Sequence, residues 1–255
     1  MRILIVNPNT TSEMTASIGE AARRYARPDT EIVALNPDRG PVSIEGYFDE
    51  VVAAEATVEL LAEHGGRFDA YVIACFGDPG LFAAREILDA PVIGIAEAAM
   101  LTACMLGYRF SILDVLARSR PQLEDLLDRY GLRQRCASIR TLEMTVLETQ
   151  AKSEEVRNRL VEEAKRAVEQ DRAEVILLGC AGMAGLDRTI GRALGVPVLD
   201  GVVCAVKMAE ALVDYGVATS KITAFKYPEP KTFRNCSATI VSVGQGLGPA
   251  RKEGG

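Results

Sequence analysis

Two cysteines occupy matching positions in an internal repeat of the chain. Cys75 follows the apolar run 70–74 and Cys180 follows the run 175–178, and a glycine-bearing turn comes after each. An acidic residue precedes each cysteine by six positions, and a proline follows by 16 positions in the first copy and 17 in the second. A free cysteine is most often a buried packing residue, but the repetition favours a functional role for this pair.

The residues around the two thiols predict proton-transfer chemistry. A thiol at the start of a helix has a lowered pKa, so we expect some thiolate near neutral pH. One thiolate can remove the proton of a carbon acid while a second thiol delivers a proton to the other face, which inverts a stereocentre without a cofactor. The backbone N–H groups next to the cysteines can bind a substrate oxygen, which makes candidates of Phe76, Gly77, Ala181 and Gly182.

Two polar positions at the ends of predicted strands have two possible roles each. Asn9 lies in the turn Asn7-Pro8-Asn9-Thr10-Thr11, where it either caps the next helix or contacts substrate in a cleft. We take Asn9 as a substrate-binding candidate. Asp114 ends the run 110–113 and is either a cleft carboxylate or a helix cap.

Several reaction classes lack their usual residues. His64 is the only histidine, and its position before Gly65 and Gly66 is typical of a helix end. Ser-His-Asp hydrolysis, Cys-His catalysis and histidine metal sites therefore lose their partner. The cysteines form no CxxC pair, and the glycines at 244–248 open no helix, so we predict neither a metal nor a nucleotide cofactor.

Composition limits the partners and the location that we expect. The net charge of −6, the absence of Trp and an aromatic content of 5% argue against a nucleic-acid partner. No apolar stretch resembles a signal peptide or a membrane span, so we expect a cytoplasmic protein without a membrane partner. Structural disulfides are rare in that compartment, and we assign no role to the remaining cysteines, which are Cys104, Cys136, Cys204 and Cys236.

Short apolar runs alternate with amphipathic stretches, and this pattern predicts an α/β fold with mainly parallel sheets. The repeat indicates two pseudo-symmetric lobes, each with a parallel sheet flanked by helices, and an active site in the cleft between them. We expect the first lobe to span 1–97 plus about 205–225 and the second 98–204, followed by a C-terminal tail, 226–255. The predicted strands are 3–6, 31–35, 70–74, 92–95, 110–113, 139–142, 175–178 and 196–199.

Three motifs in this order resemble the hydantoin/allantoin racemase branch of the aspartate/glutamate racemase superfamily. They are Asn7-Pro-Asn-Thr-Thr11, Ala74-Cys-Phe-Gly-Asp-Pro-Gly-Leu81 and Leu178-Gly-Cys-Ala-Gly-Met183, and the segment 39–47 is similar to that branch too. The resemblance covers about residues 1–215. It implies cofactor-independent proton transfer by Cys75 and Cys180 on a small cyclic ureide, a 5-substituted hydantoin or allantoin. We also expect a homo-oligomer.

One position departs from the superfamily pattern, because Asp114 stands where many members have Thr. A carboxylate there would discourage an anionic substrate and suits a neutral hydantoin ring better.

Other functions stay open at this point. The same scaffold supports decarboxylation or isomerisation with one cysteine as the acid. A non-catalytic small-ligand binding protein would also have two lobes about a cleft, and a redox dithiol would require the two sulfurs to form a disulfide.

Overall fold

The chain forms two four-stranded parallel sheets with the same strand order. The computed structural model describes residues 1–151 and 153–245. The first sheet has the order β2-β1-β3-β4, from strands β1 (Arg2–Val6), β2 (Glu31–Leu35), β3 (Ala70–Ile73) and β4 (Val92–Gly94). The second has the order β6-β5-β7-β8, from β5 (Phe110–Asp114), β6 (Cys136–Thr141), β7 (Val175–Leu178) and β8 (Val198–Asp200). The predicted α/β class with two similar lobes is confirmed.

Helices flank both sheets. Helix α1, for example, buries Met14, Ile18 and Ala22 at a spacing of four, so a single apolar stripe faces its sheet. Strands β3, β5 and β7 are buried along their whole length, as strands covered by helices on both faces must be. The helices in the described residues are α1 (Ser12–Tyr25), α2 (Tyr47–Glu63), α3 (Leu81–Ile87), α4 (Ile95–Leu106), α5 (Arg120–Arg129), α6 (Val146–Gln150), α7 (Glu154–Glu169), α8 (Asp187–Leu194), α9 (Gly201–Tyr215) and α10 (Ala238–Gly244).

Two helices cross between the sheets. Helix α4 follows β4 of the first sheet but packs against β7 of the second, and α9 follows β8 but packs against β3. The two helices also pack on each other, and a Cβ at Gly201 would lie 2.8 Å from the Ile95 carbonyl oxygen. Because each sheet is covered by a helix that follows the last strand of the other sheet, one apolar cluster joins both sheets. The boundaries of the lobes, 1–97 plus about 205–225 for the first and 98–204 for the second, stay our proposal.

The tail that begins near residue 226 includes a helix that its composition did not indicate. Helix α10 packs against α2, and Thr239 Oγ1 donates to Glu63 Oε1 at 3.2 Å. Gly244 ends this helix, while the rest of the glycine-rich motif 244–248, from 246 on, lies outside the described residues. Helix α6 was not expected either. No helix in the described ranges is both long enough and apolar enough to span a bilayer.

Candidate active site

The loops after the four central strands open into one cavity. These loops follow β1, β3, β5 and β7, and they meet at the carboxyl ends of the strands, where ligands bind in open α/β sheets. The cavity measures about 620 Å³, including the part open to solvent. Its wall is mostly apolar, with Met14, Ile44, Val115, Leu123 and Val146 among the lining residues.

The two repeat cysteines both line this cavity. They come from the loops after β3 and β7, and both are free thiols that are partly exposed. The same turn positions each one, because the Cys75 carbonyl accepts from Asp78 N and the Cys180 carbonyl from Met183 N, both at 3.0 Å. The Gly182 amide also donates to Cys180 Sγ at 3.3 Å. The fold therefore brings two thiols from different sheets to one small volume.

The pKa values of the two thiols are raised, so the prediction that they are lowered is wrong. Burial raises the pKa of Cys180 to about 12 and that of Cys75 further still. Neither cysteine lies at the start of an α-helix, since α3 begins only at Leu81 and Cys180 caps a three-residue 3-10 turn, Ala181–Met183. Desolvation of the thiolate therefore dominates the pKa of both cysteines, and no α-helix dipole acts directly on either thiol.

Neighbouring charges act in the same direction as burial. Cys180 and the carboxylates of Glu50 and Asp78 raise the pKa of Cys75 by Coulombic repulsion. The carboxylate of Asp114 contributes to the raised pKa of Cys180. Hydrogen bonds from the amides two positions after each cysteine, at Gly77 and Gly182, lower the two pKa values in part.

Most of the predicted substrate-binding residues line the cavity. Asn9, Phe76, Gly77 and Ala181 form part of its wall. Gly182 does not, because its amide is directed at the Cys180 sulfur instead. We expected the Gly182 N–H group to bind a substrate oxygen, but it donates to the thiol instead.

Asn9 is held in a defined orientation within the first loop. Its Oδ1 accepts from Asn7 Nδ2 at 2.8 Å and from Thr11 N at 2.9 Å. Its Nδ2 donates at 3.2 Å to the sulfur of Met14, which is a weak acceptor. The N-cap position of α1 belongs to Thr11. The Asn9 amide thus keeps donor capacity for a ligand in the cavity.

Asp114 is a cavity residue rather than a helix cap. It is 4% exposed and lines the cavity, and the residue that precedes the next helical turn is Leu116. The Ser119 hydroxyl contacts its carboxyl and also lies 2.6 Å from the Leu116 carbonyl oxygen. Burial raises the pKa of Asp114 to about 6.

Residues from α2 and α5 close the cavity, and the sequence analysis did not identify them. Glu50 of α2 accepts a hydrogen bond from Gln122 Nε2 of α5, and both side chains line the cavity. Nearby, Tyr47 donates to Asp125 Oδ2 at 2.7 Å, which also joins these two helices. Glu50 resembles any other acid on a helix in the sequence, so only the contact between lobes reveals its place.

A buried aspartate anchors the loop that carries Cys75. Asp78 accepts from Ala96 N at 3.0 Å, from Glu97 N at 2.9 Å and from the Tyr130 hydroxyl at 2.7 Å. It therefore caps α4 across the sheet edge. A Cβ at Gly94 would lie 2.2 Å from the Asp78 carboxyl carbon, so only glycine fits there. Burial raises the pKa of Asp78 to about 7.

The remaining sequence candidates lie elsewhere. His64 follows the last residue of α2, as predicted, and does not line the cavity. Within the described ranges, no group of three or more His, Cys, Asp or Glu side chains is arranged to hold a metal ion.

The chain is similar to known racemases over most of its length. The family model for Asp/Glu/hydantoin racemases matches residues 3–209. A hydantoin racemase from Pseudomonas sp. (strain NS671) is 51% identical over 235 residues, which cover 91% of this chain and 94% of that protein. The solved allantoin racemase from Klebsiella pneumoniae superposes with a TM-score of 0.89 at 46% identity and covers 95% of this chain and 98% of its own.

A more distant neighbour shares the architecture alone. Arylmalonate decarboxylase superposes with a TM-score of 0.63 at 21% identity, covering 86% of this chain and 95% of its own. The similarity at that level supports the two-lobed fold and carries no information on the reaction.

Proposed function

The chain belongs to the Asp/Glu/hydantoin racemase family and is an isomerase, and from that premise we propose that its substrate is a cyclic ureide, a 5-substituted hydantoin or allantoin. The reaction inverts the acidic ring carbon. The observation that carries the proposal is the meeting of Cys75 and Cys180, from matching loops of two sheets, in one cavity.

The proposed mechanism uses the two thiols as two bases on opposite faces of the ring carbon. One thiolate takes the proton, and the C–H electron pair moves into the adjacent carbonyl, which becomes an enolate. The other thiol then gives its proton to the carbon from the second face, and the electrons return from the oxygen. The two cysteines exchange protonation states and no other bond changes, so the reaction needs no cofactor.

The raised thiol pKa values suit a weakly acidic carbon. A thiolate whose conjugate acid has a high pKa is a stronger base, although less of it is present at neutral pH. The amides of Gly77 and Gly182 support the thiolates by donating hydrogen bonds. In this proposal Asn9, Phe76, Gly77 and Ala181, which line the cavity, contact the substrate, and Gly182 acts through Cys180.

The arrangement favours racemisation over the other functions. Decarboxylation or isomerisation on this scaffold would need only one cysteine, whereas the repeat supplies two. A binding protein would not require either thiol. A redox dithiol would need the two sulfurs to close into a disulfide, a step that racemisation does not require. The homo-oligomer and the cytoplasmic location stay predictions.

Incubation with single enantiomers tests the proposal. We expect the optical rotation of allantoin or of a 5-substituted hydantoin to decay to zero, faster than without enzyme. Cys75→Ser and Cys180→Ser should each abolish this decay, while Cys236→Ser, at an exposed position, should not. Full activity in both single variants of the pair would rule out the two-base mechanism, and a binding protein would show no decay at all.

A further inference from the structure

The charged side chains that line the cavity are all acidic. They are Glu50 and Asp114, and within the described residues no Lys, Arg or His lines the cavity. A site that binds an anionic substrate normally presents a cation or a fork of N–H donors to it. This cavity presents the opposite charge pattern.

Each acid stands beside one of the two thiol loops. The Glu50 carboxyl carbon lies 3.7 Å from the position that a Cβ on Gly77 would take. On the other side, the Cα of Asp114 lies 3.3 Å from the Cβ position of Gly179, which precedes Cys180. A ligand placed between the thiols would therefore lie close to both acidic residues.

Neither carboxyl is neutralised by the protein. Glu50 accepts from the neutral amide of Gln122, and Asp114 contacts the neutral hydroxyl of Ser119. In the part of the chain that the structure describes, neither one forms an ion pair with Lys or Arg, although the charge of Arg129 partly lowers the pKa of Glu50. Burial raises the pKa of both groups, because an unpaired carboxylate is costly away from water.

A neutral ureide would relieve that cost and an anion would increase it. The ring of a ureide carries N–H groups, which donate to carboxylates, and so supplies partners that the protein lacks. A carboxylate on the ligand would instead be repelled by two like charges in the cavity wall. An unfavourable charge against the wrong ligand is an effective source of specificity.

We propose that Glu50 and Asp114 select the substrate: they accept N–H groups of a neutral ureide and exclude ligands that carry a carboxylate. The inference rests on the proposed function, since it takes the cavity as the ureide site. It assigns a role to two residues that do not exchange a proton with the substrate carbon.

Two ligands of nearly the same shape isolate the effect of charge. Hydantoin-5-acetamide and hydantoin-5-acetate share the ring and the side-chain length, but only the second carries a charge. Their dissociation constants are measured by calorimetry at about pH 8, about two units above the pKa of Asp114. The proteins compared are the wild type, Glu50→Gln and Asp114→Asn, which keep shape and remove charge. Asp128→Asn on the exposed face of α5 makes the same change outside the cavity.

The wild type should bind the amide at least about tenfold more tightly than the acid, a difference of about 1.4 kcal/mol. Glu50→Gln and Asp114→Asn should each reduce that ratio by about threefold or more, whereas Asp128→Asn should keep it. A wild-type ratio near one overturns the inference, whatever the variants do. So does an equal loss in Asp128→Asn, or an unchanged ratio in both cavity variants.

The outcome is separable from the proposed function. Racemisation of the amide is followed in parallel by polarimetry. If the amide binds at least about tenfold more tightly than the acid but is not racemised, the result would support selection by charge and refute the racemase proposal. Racemisation with a ratio near one would do the reverse.

Discussion

The activity should rise steeply with pH because both thiols are protonated in the empty cavity. With a pKa of about 12, Cys180 is ionised in about one molecule in ten thousand at about pH 8. Cys75 has a pKa raised further by burial and by the charges of Glu50 and Asp78. If a thiolate is the base, kcat/KM should rise about tenfold for each unit by which the pH increases, as long as the pH is below the thiol pKa.

The rise is measured as the initial rate of racemisation of one enantiomer, between about pH 7 and about pH 9. The uncatalysed rate at each pH is subtracted. Alkylation by iodoacetamide provides a second readout, since only the thiolate reacts. Mass spectrometry then reports the rate at Cys75 and Cys180 separately, and the exposed Cys236 serves as an internal reference in the same sample.

Removing one nearby charge should change the profile in a defined direction. Asp114→Asn deletes a carboxylate that raises the pKa of Cys180, so alkylation of Cys180 should become measurably faster at the same pH. Cys75 should change less, because its pKa is raised by Cys180, Glu50 and Asp78 instead. A kcat/KM that is flat between about pH 7 and about pH 9, or a labelling midpoint below about pH 8.5, would refute the argument from burial.

Three other predictions follow from the site. Cys75→Ser and Cys180→Ser should each reduce the rate of racemisation by about a thousandfold, or about 4 kcal/mol. In D₂O, each variant should exchange the ring hydrogen of one enantiomer, and the two variants should prefer opposite enantiomers. Equal exchange of both enantiomers by both variants would contradict the two-base mechanism. Asp78→Ala leaves three donors without an acceptor, so the free energy of unfolding in urea should fall by about 2 kcal/mol or more. Gly94→Ala should destabilise the same loop, and unchanged unfolding midpoints in both variants would contradict this interpretation. Activity after chelation and dialysis should equal that before, and a loss restored by a metal ion would refute cofactor independence.

Local patterns in the sequence were enough to predict the fold class. Most strands are short apolar runs, and the buried runs at 70–74 and 175–178 coincide with β3 and β7 to within a residue. The repeat placed both cysteines at the same point after these strands. Because the repeat implied two similar lobes, it also predicted that the two loops face each other across a cleft.

Short elements with weak periodicity were missed. Helix α6 has five residues, too few for an apolar stripe, and only a capping box marks it, in which Thr145 and Glu148 bond to each other's backbone. Strand β6 begins three residues earlier than predicted, at Cys136, because Cys136 and Ser138 at its start pair with β5. In both cases hydrogen bonding decided the structure where hydrophobicity carried little information.

The sequence by itself determined which residues could do the chemistry, and the tertiary structure decided their electrostatics. Residue types and spacing identified Cys75 and Cys180, because the motif around each cysteine is made of neighbouring residues in the chain. Their raised pKa values depend on how much water the packed lobes exclude, and on Glu50 and Asp114, which lie far from one another in the chain. Burial and long-range charge are properties of the assembled cavity, because they arise only when distant segments pack together.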